Sequence, residues 1–126
     1  MSHERLLAAI GGVFALVSVA AGAFGAHALR AKLTPDVLAT FETAARYQMY
    51  HALAILLAAL AYGRWAGFQA LWAGWAFVVG IVVFSGSLYL MTITGARWLG
   101  AITPIGGVAF LAGWVLFVWG VLSRPT

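Results

Sequence analysis

A chain of 126 residues that is 64% hydrophobic and only 8% charged, with a mean hydropathy of +1.01, lacks the polar surface that a small water-soluble domain must present; ordinary soluble domains carry roughly 25% charged residues. The formal net charge of +4 is scattered over segment ends, so no basic run suited to nucleic acid exists. The absence of cysteine excludes disulfides, thiol nucleophiles and thiolate metal sites.

The stretches Leu6–Leu29, Tyr47–Gly63, Trp65–Ala96 and Trp98–Ser123 contain no Asp, Glu, Lys or Arg. A spanning helix needs about 20 apolar residues. The reading is therefore all-α: a four-transmembrane-helix bundle in one domain, with helices over about 6–29, 35–63, 68–93 and 103–122. The first apolar run exceeds the usual hydrophobic region of a signal peptide, so it is read as helix 1 rather than a cleaved leader.

Helix 1 is rich in small residues, and Gly11/Ala15 and Gly22/Ala26 have the spacing that lets helix backbones approach closely in lipid. A basic connection, Arg30-Ala31-Lys32-Leu33, leads to Thr34-Pro35-Asp36, which is a helix-start signal. Val37, Leu38, Phe41, Ala44 and Ala45 then alternate with polar positions at helical spacing. This pattern predicts a short amphipathic interfacial helix between helices 1 and 2 that bends or runs into helix 2. Glu42 and Arg46 stand in the favourable order for an i, i+4 ion pair.

Helix 2 is expected to end at a tight turn over Tyr62-Gly63-Arg64-Trp65, and helix 3 at Thr94-Gly95-Ala96-Arg97. Thr103-Pro104 repeats the start signal, so helix 4 begins there, or begins near Trp98 and kinks at the proline. With four spans both termini share one face (the termini face) with Arg64. The 30–46 connection and Arg97 share the other, the loop face. The positive-charge count is Arg5, Arg64 and Arg124 against Arg30, Lys32, Arg46 and Arg97, which leans by one charge to a cytoplasmic loop face.

Laying the helices up and down gathers the polar residues in the loop-face half. His27 falls near the end of helix 1, Tyr47, Gln48 and His51 near the start of helix 2, Ser85, Ser87 and Tyr89 in helix 3, and Thr103 at the start of helix 4. With Glu42 and Arg46 these form the candidate polar cluster, because intramembrane polar groups must find partners and ionisable ones mark function by default. The termini-face half offers little beyond Ser18 and Gln69. Interhelical hydrogen-bond glue is the structural reading of the cluster. The functional one is a site for a small polar solute, a proton, a lipid headgroup or a cofactor. His27 and His51 at similar depth could ligate haem, but two histidines are a thin signal and make a poor zinc site. No cofactor is assigned.

Four blocks carry a family likeness. Gly22–Leu29, Phe41–Leu53, Phe84–Leu90 and Leu99–Gly107 resemble, in order, the YgdD family of small bacterial inner-membrane proteins, whose eukaryotic relatives are named transmembrane protein 256. The resemblance implies four spans in the bacterial inner membrane and no known substrate, reaction or catalytic residue. The blocks contain His27, Gln48, His51, Ser85, Ser87 and Thr103, which are members of the polar cluster.

The expectation is a non-enzymatic accessory, scaffold or assembly component of a membrane complex, in contact with the bilayer and with other membrane proteins or copies of itself. The alternatives are an oligomeric carrier or channel built on Glu42, Arg46, His51 and the helix 3 hydroxyls, with a helix break at Thr103–Gly107, and a haem- or quinone-binding electron-transfer protein.

Overall fold

A computed structural model describes residues 1–65 and 67–124, and among them the chain forms four long helices and no strand. Helix α1 is His3–Leu29, α2 is Pro35–Trp65, α3 is Phe68–Thr94, and α4 is Thr103–Leu122, preceded by a 3₁₀ turn over Arg97–Ala101. By length and composition three helical stretches suffice to cross a membrane: His3–Leu29, Phe68–Thr94 and Arg97–Leu122.

Local chemistry sets the helix ends. The Ser2 hydroxyl accepts from the Arg5 N–H (3.2 Å) and the Thr34 hydroxyl from the Val37 N–H (3.4 Å), so serine and threonine cap α1 and α2. Gly95, at φ +72°, closes α3 in the left-handed conformation that a glycine adopts without strain. Pro104 lies in the first turn of α4, where its missing N–H costs nothing.

Of the two courses expected for the amphipathic stretch, bending or running into helix 2, the chain takes the second: residues 35–45 and the apolar stretch are one 31-residue helix, about 46 Å long. One detail differs from the sequence expectations: the helix continues through Gly63 to Trp65 instead of turning at Tyr62. A Cβ at Gly63 would meet only the carboxylate of the exposed Glu4 of α1, a flexible group with room to move aside.

Successive helices pack in order: α1 on α2, α2 on α3, and α3 on α4, which leaves α1 and α4 at opposite edges. The core runs from the middle of the bundle, at Ile81 and Phe110, into the termini-face half, where Leu7, Ala54, Ile55, Ala58, Ala73 and Phe77 meet. Alanines on α2 let both neighbours come close. The α3–α4 seam uses another device. Phe77 fills the notch at Gly113, Phe110 fills the notch at Gly80, and Gly106 lies against the Phe84 backbone. Gly106, Gly113 and Gly120 recur every seven residues, the heptad period of antiparallel left-handed packing.

Candidate functional site

The polar residues converge on one stretch of α2, Ala44 to His51, which bonds to each of the other helices. Ser18 of α1 donates its hydroxyl to the Ala45 carbonyl at 2.7 Å, and Ser85 of α3 donates to the Ala44 carbonyl at 2.8 Å. Both serines are buried, Ser85 at 1% exposure. Each sits at a local widening of its helix: Ser18 just before a π turn over Ala20–Gly25, Ser85 at the end of one over Ile81–Ser85. A π turn inserts one residue and re-aims the side chains beside it. Here two such turns flank the same level of α2.

One turn further along α2 lies Gln48, 2% exposed. Its amide N–H donates to the Phe14 carbonyl of α1 (2.8 Å), and its amide oxygen accepts from the Tyr89 hydroxyl of α3 (2.7 Å). The Phe14 carbonyl can only accept, so the orientation of the amide is fixed. Gln48 is thus a clamp across three helices.

His51 completes the belt. The indole N–H of Trp114, on α4, can only donate, so the His51 Nε2 at 3.1 Å must accept. Nδ1 then carries the proton and donates to the Tyr47 carbonyl at 2.8 Å. Both ring nitrogens are engaged in the neutral Nδ1–H tautomer. The ring stacks on Phe110 with centroids 3.5 Å apart and planes 8° from parallel, and Phe110 is itself seated at Gly80. At the loop-face edge, Ser87 of α3 and Thr103 of α4 share a 2.6 Å hydrogen bond, while Ser87 also donates to the Phe84 carbonyl.

Of the residues expected in the cluster, Gln48, His51, Ser85, Ser87, Tyr89 and Thr103 enter this set of interhelical bonds. Tyr47 contributes its carbonyl and packs its ring against Phe84 at 4.9 Å. His27 is exposed and stands apart from the belt. Glu42 and Arg46 also lie outside it; they line a separate cavity of about 290 Å³ between α1 and α2, bordered by Ser18, Gly22, Ala45 and Met49.

Two members escape a sequence reading: Ser18, assigned there to the opposite half, and Trp114. The depth of Ser18 on an antiparallel α1, level with Ala45, is the signal that identifies it. For Trp114 the signal is its place one residue after Gly113 in the glycine heptad. Gln69 has its own partner at the termini face, accepting from Arg124 at 2.8 Å. Among the described residues no buried side-chain nitrogen or oxygen lacks a hydrogen-bond partner.

The chain is similar to small proteins named as membrane proteins across most of its length. It is 43% identical over 114 residues to "UPF0382 membrane protein SH2409" of Staphylococcus haemolyticus, covering 90% of this chain and 93% of that one. It is 46% identical over 114 residues to a counterpart in Staphylococcus epidermidis, with the same coverage. It is 44% identical over 110 residues to "UPF0382 membrane protein YwdK" of Bacillus subtilis, covering 86% and 89%. No solved structure matches. Residues 21–107, which include the α2 stretch Ala44 to His51 but not Ser18 or Trp114, match the family described as "Protein of unknown function (DUF423)". The chain therefore belongs to the DUF423 family of membrane proteins, which is the YgdD and transmembrane protein 256 family that its four sequence blocks resemble.

Proposed function

We infer that this protein is a four-span bundle of the bacterial inner membrane that works as an accessory or scaffold component of a larger membrane complex, without chemistry of its own. On this reading α2 is the fourth span. Its length of about 46 Å matches the bilayer with its headgroup regions, so the first turns, with Asp36 and Glu42, lie in the loop-face interface. Arg46, one turn deeper and exposed, snorkels to that interface.

The observation that carries the accessory reading is the internal closure of the polar belt. Catalysis and transport both need polar groups aimed at a substrate. The buried ones here are aimed at one another: Ser18, Gln48, Ser85 and His51 all bond to neighbouring helices or their own backbone. What the molecule offers outward is apolar, with Leu16, Phe24, Leu60, Trp72, Leu111 and Val115 all more than half exposed.

The test is affinity purification of the tagged protein from its own membrane in mild detergent, followed by native mass spectrometry. A stoichiometric partner protein supports the reading, and a pure monomer that carries nothing overturns it.

A second reading, an oligomeric carrier or channel, draws on the cavity beside Glu42 and Arg46, where two charged side chains border an opening toward lipid. It predicts a proteoliposome flux that Glu42→Gln abolishes while the fold is kept. Unchanged flux in that variant removes it. The haem reading gains no comparable support, since an axial-ligand role for His51 requires its ring to leave Trp114 or Tyr47.

A further inference from the structure

On the loop-face side of α1 and α3 runs an open groove of about 570 Å³ that the polar belt does not use. Val17, Ala21 and Leu29 of α1 form one wall, Ile93 of α3 the other, and Phe41 of α2 the floor. Two hydroxyls border it and both are committed: Tyr89 donates to Gln48 at 2.7 Å and Thr92 to the Leu88 carbonyl at 3.0 Å. The charged group at the groove is Lys32, exposed on the turn that ends α1, where its own N–H bonds to the Leu29 carbonyl at 2.9 Å.

The groove has a direction. It starts near the middle of α1 at Val17 and ends at Lys32, so the wall from Val17 to Leu29 is about 18 Å long at the helical rise. That is close to one leaflet, or half of a hydrocarbon core of about 30 Å. An apolar channel one leaflet deep, with a cation at its interfacial end, has the polarity and reach of a single lipid. A transmembrane helix of a partner would need a seam running past the bilayer centre, and it would have no use for the lysine.

We propose that this groove holds one anionic glycerophospholipid, with an acyl chain lying over Phe41 between Ala21 and Ile93 and the phosphate beside the Lys32 ammonium. The site is independent of the accessory role, since it needs only that the α1 and α3 walls lie in the bilayer.

The experiment is native mass spectrometry of the full-length protein in mild detergent, titrated with an equimolar mixture of phosphatidylglycerol and phosphatidylcholine of identical chains. The wild type should keep one lipid per chain with phosphatidylglycerol preferred about fivefold, the weight of one lysine beside an anionic headgroup. Lys32→Ala should bring the ratio to about one, and Arg64→Ala, at the other face, should leave it unchanged. Ala21→Phe fills the groove and should cut retention of both lipids about tenfold. If that variant does not fold, Ile93→Glu, at a position 79% exposed, takes its place and should reverse the preference. Equal retention of the two lipids by the wild type, a preference that survives Lys32→Ala, or a preference that Ile93→Glu does not alter overturns the proposal. So does a second polypeptide retained in place of lipid and lost in Ala21→Phe.

Discussion

Helices α2 and α4 meet the same problem with opposite sequences. In lipid the hydrophobic effect does not drive one helix onto another, so association must come from close packing or from hydrogen bonds. α4 uses packing. Its contribution is a row of glycines, Gly106, Gly113 and Gly120, that admits Phe77 and the backbone around Phe84 and Gln69, while Val108, Leu111 and Val115 face outward. α2 uses hydrogen bonds. Gln48 and His51 donate or accept across to α1, α3 and α4, and Ala44 and Ala45 offer carbonyls to two serines. The difference follows from position. α2 has protein on both sides and hides its polar groups in the bundle, whereas α4 is an edge helix whose outer face must stay apolar. The helix with the most internal bonds is therefore the one that falls outside the apolar spans His3–Leu29, Phe68–Thr94 and Arg97–Leu122.

The comparison breaks most severely at the glycine seam. In Gly106→Val the new side chain collides with the Phe84 backbone, which cannot rotate away, so α3 and α4 must separate. A loss of about 3 kcal/mol is expected, read as a lower thermal midpoint by circular dichroism in detergent. Gly107→Val is the matched control. Nothing lies within 4 Å of a Cβ there, so its midpoint should stay near that of the wild type. Similar losses in both variants would mean that the seam is not the close contact described.

Next is the clamp. Gln48→Leu removes two interhelical hydrogen bonds and strands the Tyr89 hydroxyl, at an expected cost of about 1.5 kcal/mol. Tyr89→Phe alone should cost less, and in the double variant the losses should fall short of additive by about 0.5 kcal/mol. Strict additivity would show that the two side chains do not act as a pair.

Why these two devices were unequally legible in the sequence is a matter of what pattern each leaves. Charge-free stretches and the Thr34-Pro35 and Thr103-Pro104 signals locate all four helices, because length, capping and proline chemistry act locally. The polar belt is legible in part. Gln48, His51, Ser85 and Tyr89 are conspicuous in apolar surroundings, and antiparallel layout alone brings them to one depth. Ser18 is lost because its level depends on how far α1 is shifted against α2. Glu42 and Arg46 lie close to that depth but outside the belt, since depth says nothing about the side of a helix on which a residue falls. His27 does not share the depth of His51: nine residues beyond Ser18, which is level with Ala45, it lies about 13 Å nearer the loop face at the helical rise. The glycine heptad of α4 is fully present in the sequence, but its meaning requires Phe77 and Phe110 to be placed opposite it. The π turns carry no composition signal at all.

The belt and the seam meet at one ring. Phe110 seats at Gly80 and carries the stacked imidazole of His51, which Trp114 holds by its second nitrogen. Trp114→Phe keeps an aromatic ring near Phe77, 4.9 Å away in the wild type, but deletes the donor to Nε2. The expected cost is about 0.6 kcal/mol, the usual size of one interhelical hydrogen bond in lipid. The ring should also report it. In ¹⁵N spectra of labelled histidine, the wild-type His51 should show a protonated Nδ1 and an accepting Nε2, and only the Nε2 signal should move in the variant. An Nε2–H tautomer in the wild type would refute the bonding assigned to this ring and return both nitrogens to consideration as ligands.

The smallest expected effect falls on the charges that the belt leaves out. Arg46 is exposed and Glu42 half-buried beside the α1–α2 cavity, so Arg46→Met and Glu42→Gln should each shift stability by no more than about 0.5 kcal/mol. That insensitivity is itself informative. Gln48 earns its place by holding helices together, so its loss must appear in the melting curve. Glu42 and Arg46 hold nothing together that the belt does not already hold, so a defect in the cell caused by either substitution, with the melting curve intact, would point to a role outside the fold. A purified partner lost in Arg46→Met would tie that role to assembly, and a lost proteoliposome flux would tie it to transport. A midpoint lowered as much as in Gln48→Leu would instead make the pair part of the belt and erase the contrast between the two sets of polar residues on α2.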